Sequence, residues 1–329
     1  MVVYLILLAV LCLFALRPRS RPLLVVSFFL LFIVEAFRAY SVGTDTINYI
    51  SANSNILHSS SFAVKGLEIG WTGLVYLNSW IFEDISRPMI IEATLLFLAP
   101  LFIVASRWCR KRAGMVILLS FLLYFYFNSF NITRQSIAMS WCLWAYYCYE
   151  RKETKRSILF FLIAVSFHTT ALMMAALPLI RKIKINLIWT CVLLGGSFLF
   201  GTLNLISPIV SLIAGNELYS IYADAFLADA SSFSPTRLAL NVMVIYLFIK
   251  TKGRDQLWNF VFIGVVLLNF FSSLPFVARL AQYFLLFQII LFPRIRSKNA
   301  RLVTWAYSFV TFAFLLYSNV GEVLPYAFG

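Results

Sequence analysis

Stretches of about 20 largely apolar residues, each long enough to cross roughly 30 Å of hydrocarbon as a helix, recur along the chain with short basic clusters between them. With 62% hydrophobic and only 12% charged residues, the chain carries more apolar surface than a soluble domain of its length can hide. Spans of alternating polarity are absent, so helices rather than a barrel must satisfy the backbone in lipid. The expectation is an all-α, polytopic integral membrane protein with about 10–12 transmembrane helices. The first apolar run, Val2 to Leu16, lacks a basic n-region and a small-residue cleavage site, and reads as a retained span.

Six basic clusters punctuate the sequence: Arg17/Arg19/Arg21, Arg107/Arg110/Lys111/Arg112, Arg151/Lys152/Lys155/Arg156, Arg181/Lys182/Lys184, Lys250/Lys252/Arg254 and Arg294/Arg296/Lys298/Arg301. They hold 21 of the 27 basic residues and dominate the net charge of +14. In a soluble protein that charge suggests nucleic acid; here the positive-inside rule explains it and no nucleic acid is expected. If every cluster faces the cytoplasm, the spans thread as 2–16, 22–40, 88–106, 114–130, 132–149, 185–203, 236–250, 257–273, 276–293 and 302–318, with both termini outside. Two segments resist. Residues 66–82 carry Glu68 and read as a helix lying at or dipping into the outer face. Residues 157–180 have basic clusters at both ends and read as half-helices broken around His168; a single crossing compensated by a bend in 185–214 is the alternative. Outer loops fall at about 41–87 and 204–235. No repeat or linker is visible, which makes 1–329 a single transmembrane domain.

The basic residues that break the rule are Arg38, Lys65, Arg87, Arg134, Arg237 and Arg279. Glu35 and Arg38 are three apart on one helix and can pair. Arg134, Arg237 and Arg279 each follow a helix-start signal: Asn131 or Thr133; Ser234 with Pro235; Ser273 with Pro275. An N-terminus is the wrong end for a cation, because the helix dipole is already positive there. The placement suits an anion such as a pyrophosphate, held by free N–H groups and guanidinium forks. The structural alternative is pairing with an acid such as Glu217, Asp224 or Asp229. His168, Asp45 and Glu68 are the candidates for acid–base chemistry at the outer face. Trp71, Tyr76, Trp80, Tyr219 and Tyr222 are candidate stacking surfaces for sugar rings. The five cysteines, at 12, 109, 142, 148 and 191, have no metal-ligand or disulfide spacing.

In chain order, Gly43-Thr44-Asp45 with Tyr49, Glu68-Ile69-Gly70-Trp71, Asn131 with Arg134-Gln135 and Ala138, Phe167-His168-Thr169-Thr170-Ala171-Leu172, and Arg279-Leu280-Ala281 with Tyr283-Phe284 resemble the EpsG/Wzy group of polysaccharide polymerases. Trp71 and Thr170 depart from the family's usual Tyr or Phe and Ser, and neither change removes a charge. The resemblance implies a bacterial inner-membrane glycosyltransferase that joins oligosaccharide repeat units carried on undecaprenyl pyrophosphate, at the periplasmic face, for O-antigen, capsule or exopolysaccharide. It implies no cofactor, nucleotide sugar or metal. The implied partners are lipid-linked oligosaccharides and membrane lipid, with a chain-length regulator as a further candidate. On this reading Arg134, Arg237 and Arg279 stabilise the departing pyrophosphate, Gln135 and Tyr283 orient phosphate or sugar, and His168, Asp45 or Glu68 supplies the base. An O-antigen ligase and a flippase for lipid-linked sugars are the competing readings.

Overall fold

The computed structural model describes residues 1–58, 68–206, 233–253 and 255–329. Lys65, Glu217, Tyr219, Tyr222, Asp224, Asp229 and Arg254 lie outside the described residues, as does most of the expected loop 204–235. The described residues are all-helical, their only β pairing being an isolated bridge between Arg38 and Phe328. In order the helices are α1 (Val2–Leu16), α2 (Arg21–Ala36), α3 (Thr46–His58), α4 (Ile69–Ser79), α5 (Ser86–Trp108), α6 (Ala113–Leu122), α7 (Phe125–Asn128), α8 (Thr133–Glu150), α9 (Thr154–Phe167), α10 (Leu177–Ile180), α11 (Leu187–Thr202), α12 (Pro235–Thr251), α13 (Leu257–Phe270), α14 (Pro275–Ala278), α15 (Ala281–Leu285), α16 (Gln288–Leu291) and α17 (Lys298–Ser318). Two of them, α5 and α17, are long and apolar enough to cross a membrane.

The chain divides into two compact units: Met1–Ala175 with Ser308–Gly329, and Ala176–Tyr307. In the first unit α8 packs on α5 and α9, α1 on α6, and α4 on α9. Its core is aromatic, with Tyr4, Phe121, Tyr126, Phe127 and Phe130 fully enclosed. The expected span 114–130 breaks here. Tyr124, at φ +73°, ends α6 in the left-handed region, which costs about 1–2 kcal/mol in a non-glycine residue. The break turns Tyr126 and Phe127 inward against Phe121, with ring centroids 5.7 and 5.0 Å away, and Phe130 packs on both of them. Burying each such ring returns roughly 2–3 kcal/mol. The Tyr126 hydroxyl donates to the Leu31 carbonyl at 2.8 Å.

The segment 66–82 contains an 11-residue helix, α4, about 16 Å long and too short for a simple crossing. The expected break at His168 is present: α9 stops at Phe167, His168 is extended at φ −158° and ψ 118°, and a 3-10 stretch follows over Thr169–Ala176.

In the second unit α11 packs on α13 and α12. Its polarity is inverted relative to a soluble core: Ile188, Trp189, Val192 and Leu199 are exposed, whereas Thr190, Ser197 and Gly201 are buried. Two buried amides tie the helices together. Asn241 Nδ2 donates to Asn269 Oδ1 at 3.0 Å and Asn269 Nδ2 donates back at 2.8 Å, with a second bond to Ser197 Oγ at 3.1 Å. The expected span 276–293 is not one regular helix. It runs as α14, α15, α16 and a 3-10 turn, Phe292–Arg294, because bonds such as Tyr283 N to Leu280 O and Ile290 N to Phe287 O tighten the path from four residues to three.

Candidate functional site

Glu68 stands at the N-terminus of α4, and its backbone carbonyl accepts from Thr72 N at 3.0 Å. Its side chain points away from its own helix toward two others. His168, at the end of α9, places Nδ1 2.7 Å from Glu68 Oε1. Arg134, in the first turn of α8, donates Nη1 to Glu68 Oε2. The backbone N–H of Thr169 adds a third donor to Oε1 at 3.2 Å. One carboxylate thus joins three segments of the chain. The break after Phe167 is what makes this possible, since a continued helix would have spent the Thr169 N–H on its own ladder.

The cluster is half-buried, with side-chain exposures of 10% for Glu68, 19% for Arg134 and 23% for His168. Burial pushes the Glu68 carboxyl up. The His168 hydrogen bond, the Arg134 charge and the Thr169 N–H outweigh that, leaving it below the ordinary carboxylate value. Tyr49 flanks the group, its ring centroid 5.9 Å from the Arg134 guanidinium carbon. Behind Tyr49, Trp71 packs at 5.2 Å and donates Nε1 to Asn53 Oδ1 at 3.0 Å.

Several sequence expectations change at this point. Arg134 was expected at a capped helix start with an external anion beside it. The cap is Ile132, with no side-chain bond. Thr133 Oγ1 instead donates to the Ser129 carbonyl, and Asn131 faces Thr44 and Gly321. The anion beside Arg134 is supplied from within, by Glu68. Trp71 is 2% exposed, its ring packed beside Tyr49 and its Nε1 donated to Asn53 Oδ1, so it is enclosed here rather than offered as a stacking surface. Arg38 does not pair with the Glu35 carboxylate through a hydrogen bond. It donates to the Glu35 carbonyl at 2.6 Å, to Val42 O and to Thr46 Oγ1.

Asp45 lies just before α3, half-exposed, with its carbonyl accepting from Tyr49 N at 2.9 Å. Among the described residues it forms no ion pair. Gln135 is buried, with Nε2 3.9 Å from Met139 Sδ. Arg237, Arg279 and Tyr283 belong to the second unit. Ser234 caps α12 as expected, accepting from Arg237 N at 3.3 Å, and the Arg237 guanidinium carbon lies 5.7 Å from the Phe198 ring centroid. The Ser273 hydroxyl is buried and has no hydrogen-bond partner among the described residues. Arg279 falls in the joint between α14 and α15, and its carbonyl accepts from Gln282 N. Tyr283 is fully buried.

The Thr169 N–H was not singled out from sequence, and Tyr49 was marked there as part of the Gly43-Thr44-Asp45 motif without a role beside Arg134. A backbone donor carries no residue signature.

A family model described as the EpsG family matches residues 22–328. No curated protein and no solved structure matches the chain.

Proposed function

Because the chain belongs to the EpsG family, the Wzy-type polysaccharide polymerases, we propose that it elongates a polysaccharide by glycosyl transfer between undecaprenyl-pyrophosphate-linked repeat units, at the periplasmic face of the bacterial inner membrane. The inverted polarity of α11, apolar outside and small or polar inside, supports a lipid-facing surface. So do the basic clusters at intervals suited to a multi-pass chain.

The observation that carries the chemistry is the contact of His168 Nδ1 with Glu68 Oε1. An ionised carboxylate only accepts, so Nδ1 carries a proton, and in the neutral imidazole Nε2 then keeps the lone pair that an acceptor hydroxyl needs. Glu68 is thereby a poor base, both its oxygens being occupied, and a good orienter of the imidazole. In the proposed step the acceptor oxygen attacks the anomeric carbon and gives its proton to His168 Nε2. A new glycosidic C–O bond forms as the anomeric carbon's bond to the pyrophosphate oxygen breaks, and the lipid pyrophosphate leaves with the electron pair. Before the step Arg134 and Glu68 cancel in charge. Once His168 is protonated, the cluster is net positive while charge builds on the phosphate oxygens, which favours the transition state over the ground state.

The test is purified protein in liposomes with a defined lipid-linked repeat unit. Wild type should form a ladder of polymers, and His168→Gln should elongate about 10²–10⁴-fold more slowly at unchanged abundance. A normal ladder from His168→Gln overturns the assigned base. No polymer from wild type overturns the reading.

A further inference from the structure

Three stretches far apart in sequence meet at one side chain near the cluster. Asn131 Oδ1 accepts from Thr44 Oγ1 at 3.0 Å, and Asn131 Nδ2 donates to the Gly321 carbonyl at 3.2 Å. The adjoining backbones are knitted to each other: Gly43 N donates to Glu322 O at 3.0 Å, Ala39 N to Ala327 O at 2.8 Å, and Gly329 N to Phe37 O at 3.1 Å. The turn that presents Gly321 O and Glu322 O holds Asn319, Gly321 and Glu322 all at positive φ. Asn319 braces that turn, its amide bonding Leu324 O at 2.7 Å and Leu324 N at 2.8 Å. Two glycines press on the junction: a Cβ on Gly321 would come within 2.2 Å of Asn131 Nδ2, and one on Gly43 within 3.0 Å of Asn131 Oδ1. Both glycines are left-handed, at φ +79° and +96°, where an L side chain is strained.

We propose that Asn131 is a positioning residue: it sets the Gly43-Thr44-Asp45 loop in register with the Arg134 helix by tying both to residues 319–329. Arg134 follows three residues after Asn131, and Asp45 follows directly after Thr44. The single amide is therefore short-coupled to two charged groups of the outer-face region. Residues 319–329 act as a strap across this region. The bearing on catalysis rests on the polymerase reading above; the junction itself does not.

The experiment combines hydrogen–deuterium exchange with turnover on the full-length protein. Asn131→Ala should speed amide exchange at least tenfold in peptides 39–45 and 319–329, without change in the middle of α8. Elongation should fall about tenfold to a hundredfold in kcat, as expected for a displaced group, with KM for the lipid-linked acceptor little changed. Thr44→Ser, which keeps the hydroxyl, should match wild type, whereas Thr44→Val should match Asn131→Ala. Gly321→Ala opens the same peptides from the other side. Unchanged exchange in Asn131→Ala overturns the junction. Faster exchange with wild-type turnover overturns its positioning role. Wild-type protein that makes no polymer overturns the polymerase reading instead, and the exchange result still decides the junction.

Discussion

Gly70 lies so close to Ser166 that a Cβ on the glycine would sit 2.6 Å from the Ser166 carbonyl oxygen and 2.7 Å from its hydroxyl. This is the approach that lets Glu68, two residues before Gly70, reach His168, two residues after Ser166. Here α4 and α9 touch backbone to backbone, with no room for a side chain between them. Gly70→Ala is expected to push the helices apart, at a cost of about 1–3 kcal/mol for overpacking, and to stop elongation. Gly195→Ala is the control, because a Cβ there meets nothing within 4 Å among the described residues; it should be neutral or gain up to about 1 kcal/mol. Thermal melting of the detergent-solubilised protein checks both.

Glu68 and Arg134 should be strongly non-additive. Removing either alone strands a half-buried charge, and removing both does not. A double-mutant cycle of Glu68→Gln and Arg134→Gln, read by melting, should give a coupling of about 1–3 kcal/mol. Coupling below about 0.5 kcal/mol would mean that the pair behaves as an exposed surface bridge.

Acid should weaken the same cluster in a defined window. The folded Glu68 carboxyl is held below its ordinary value of 4.5, so the unfolded chain binds its proton first as pH falls. Its stabilising contribution is complete above 4.5 and is lost as pH drops from there through the folded value. Melting temperature measured from pH 7 down to about pH 3 should fall less steeply below 4.5 in Glu68→Gln than in wild type.

The Asn241–Asn269 pair makes a prediction of a different kind. Asn269→Leu leaves the Asn241 amide without its reciprocal partner, and should destabilise by about 1–2 kcal/mol. Asn241→Leu combined with Asn269→Leu removes both polar groups and should recover part of that loss. Melting of the two variants distinguishes an amide clasp from simple packing.

Periodic apolar stretches made the helices legible at nearly their observed ends: Val2–Leu16 for 2–16, Thr133–Glu150 for 132–149 and Leu187–Thr202 for 185–203. Two of the departures from expectation trace to non-local contacts. Tyr124 turns left-handed so that Tyr126 can reach the Leu31 carbonyl and Phe127 can pack on Tyr4, a demand that no local pattern encodes. The capping role expected of Asn131 failed because its amide found partners 87 and 190 residues away. Ser234 did cap α12, because a cap uses only neighbours within one turn.

The residue types of the site could be picked out one by one: Glu68 as an acid in an apolar segment, His168 at a break, Arg134 at the wrong end of a helix. Each of those signals is local, a charge set against its own hydropathy or its own helix dipole. What the sequence could not say was that Glu68 is the anion Arg134 lacked, or that it is the partner of His168, 100 residues further on. Pairing across such separations is decided by how α4, α8 and α9 pack, and that depends on the space left at Gly70 and on the ladder released at His168.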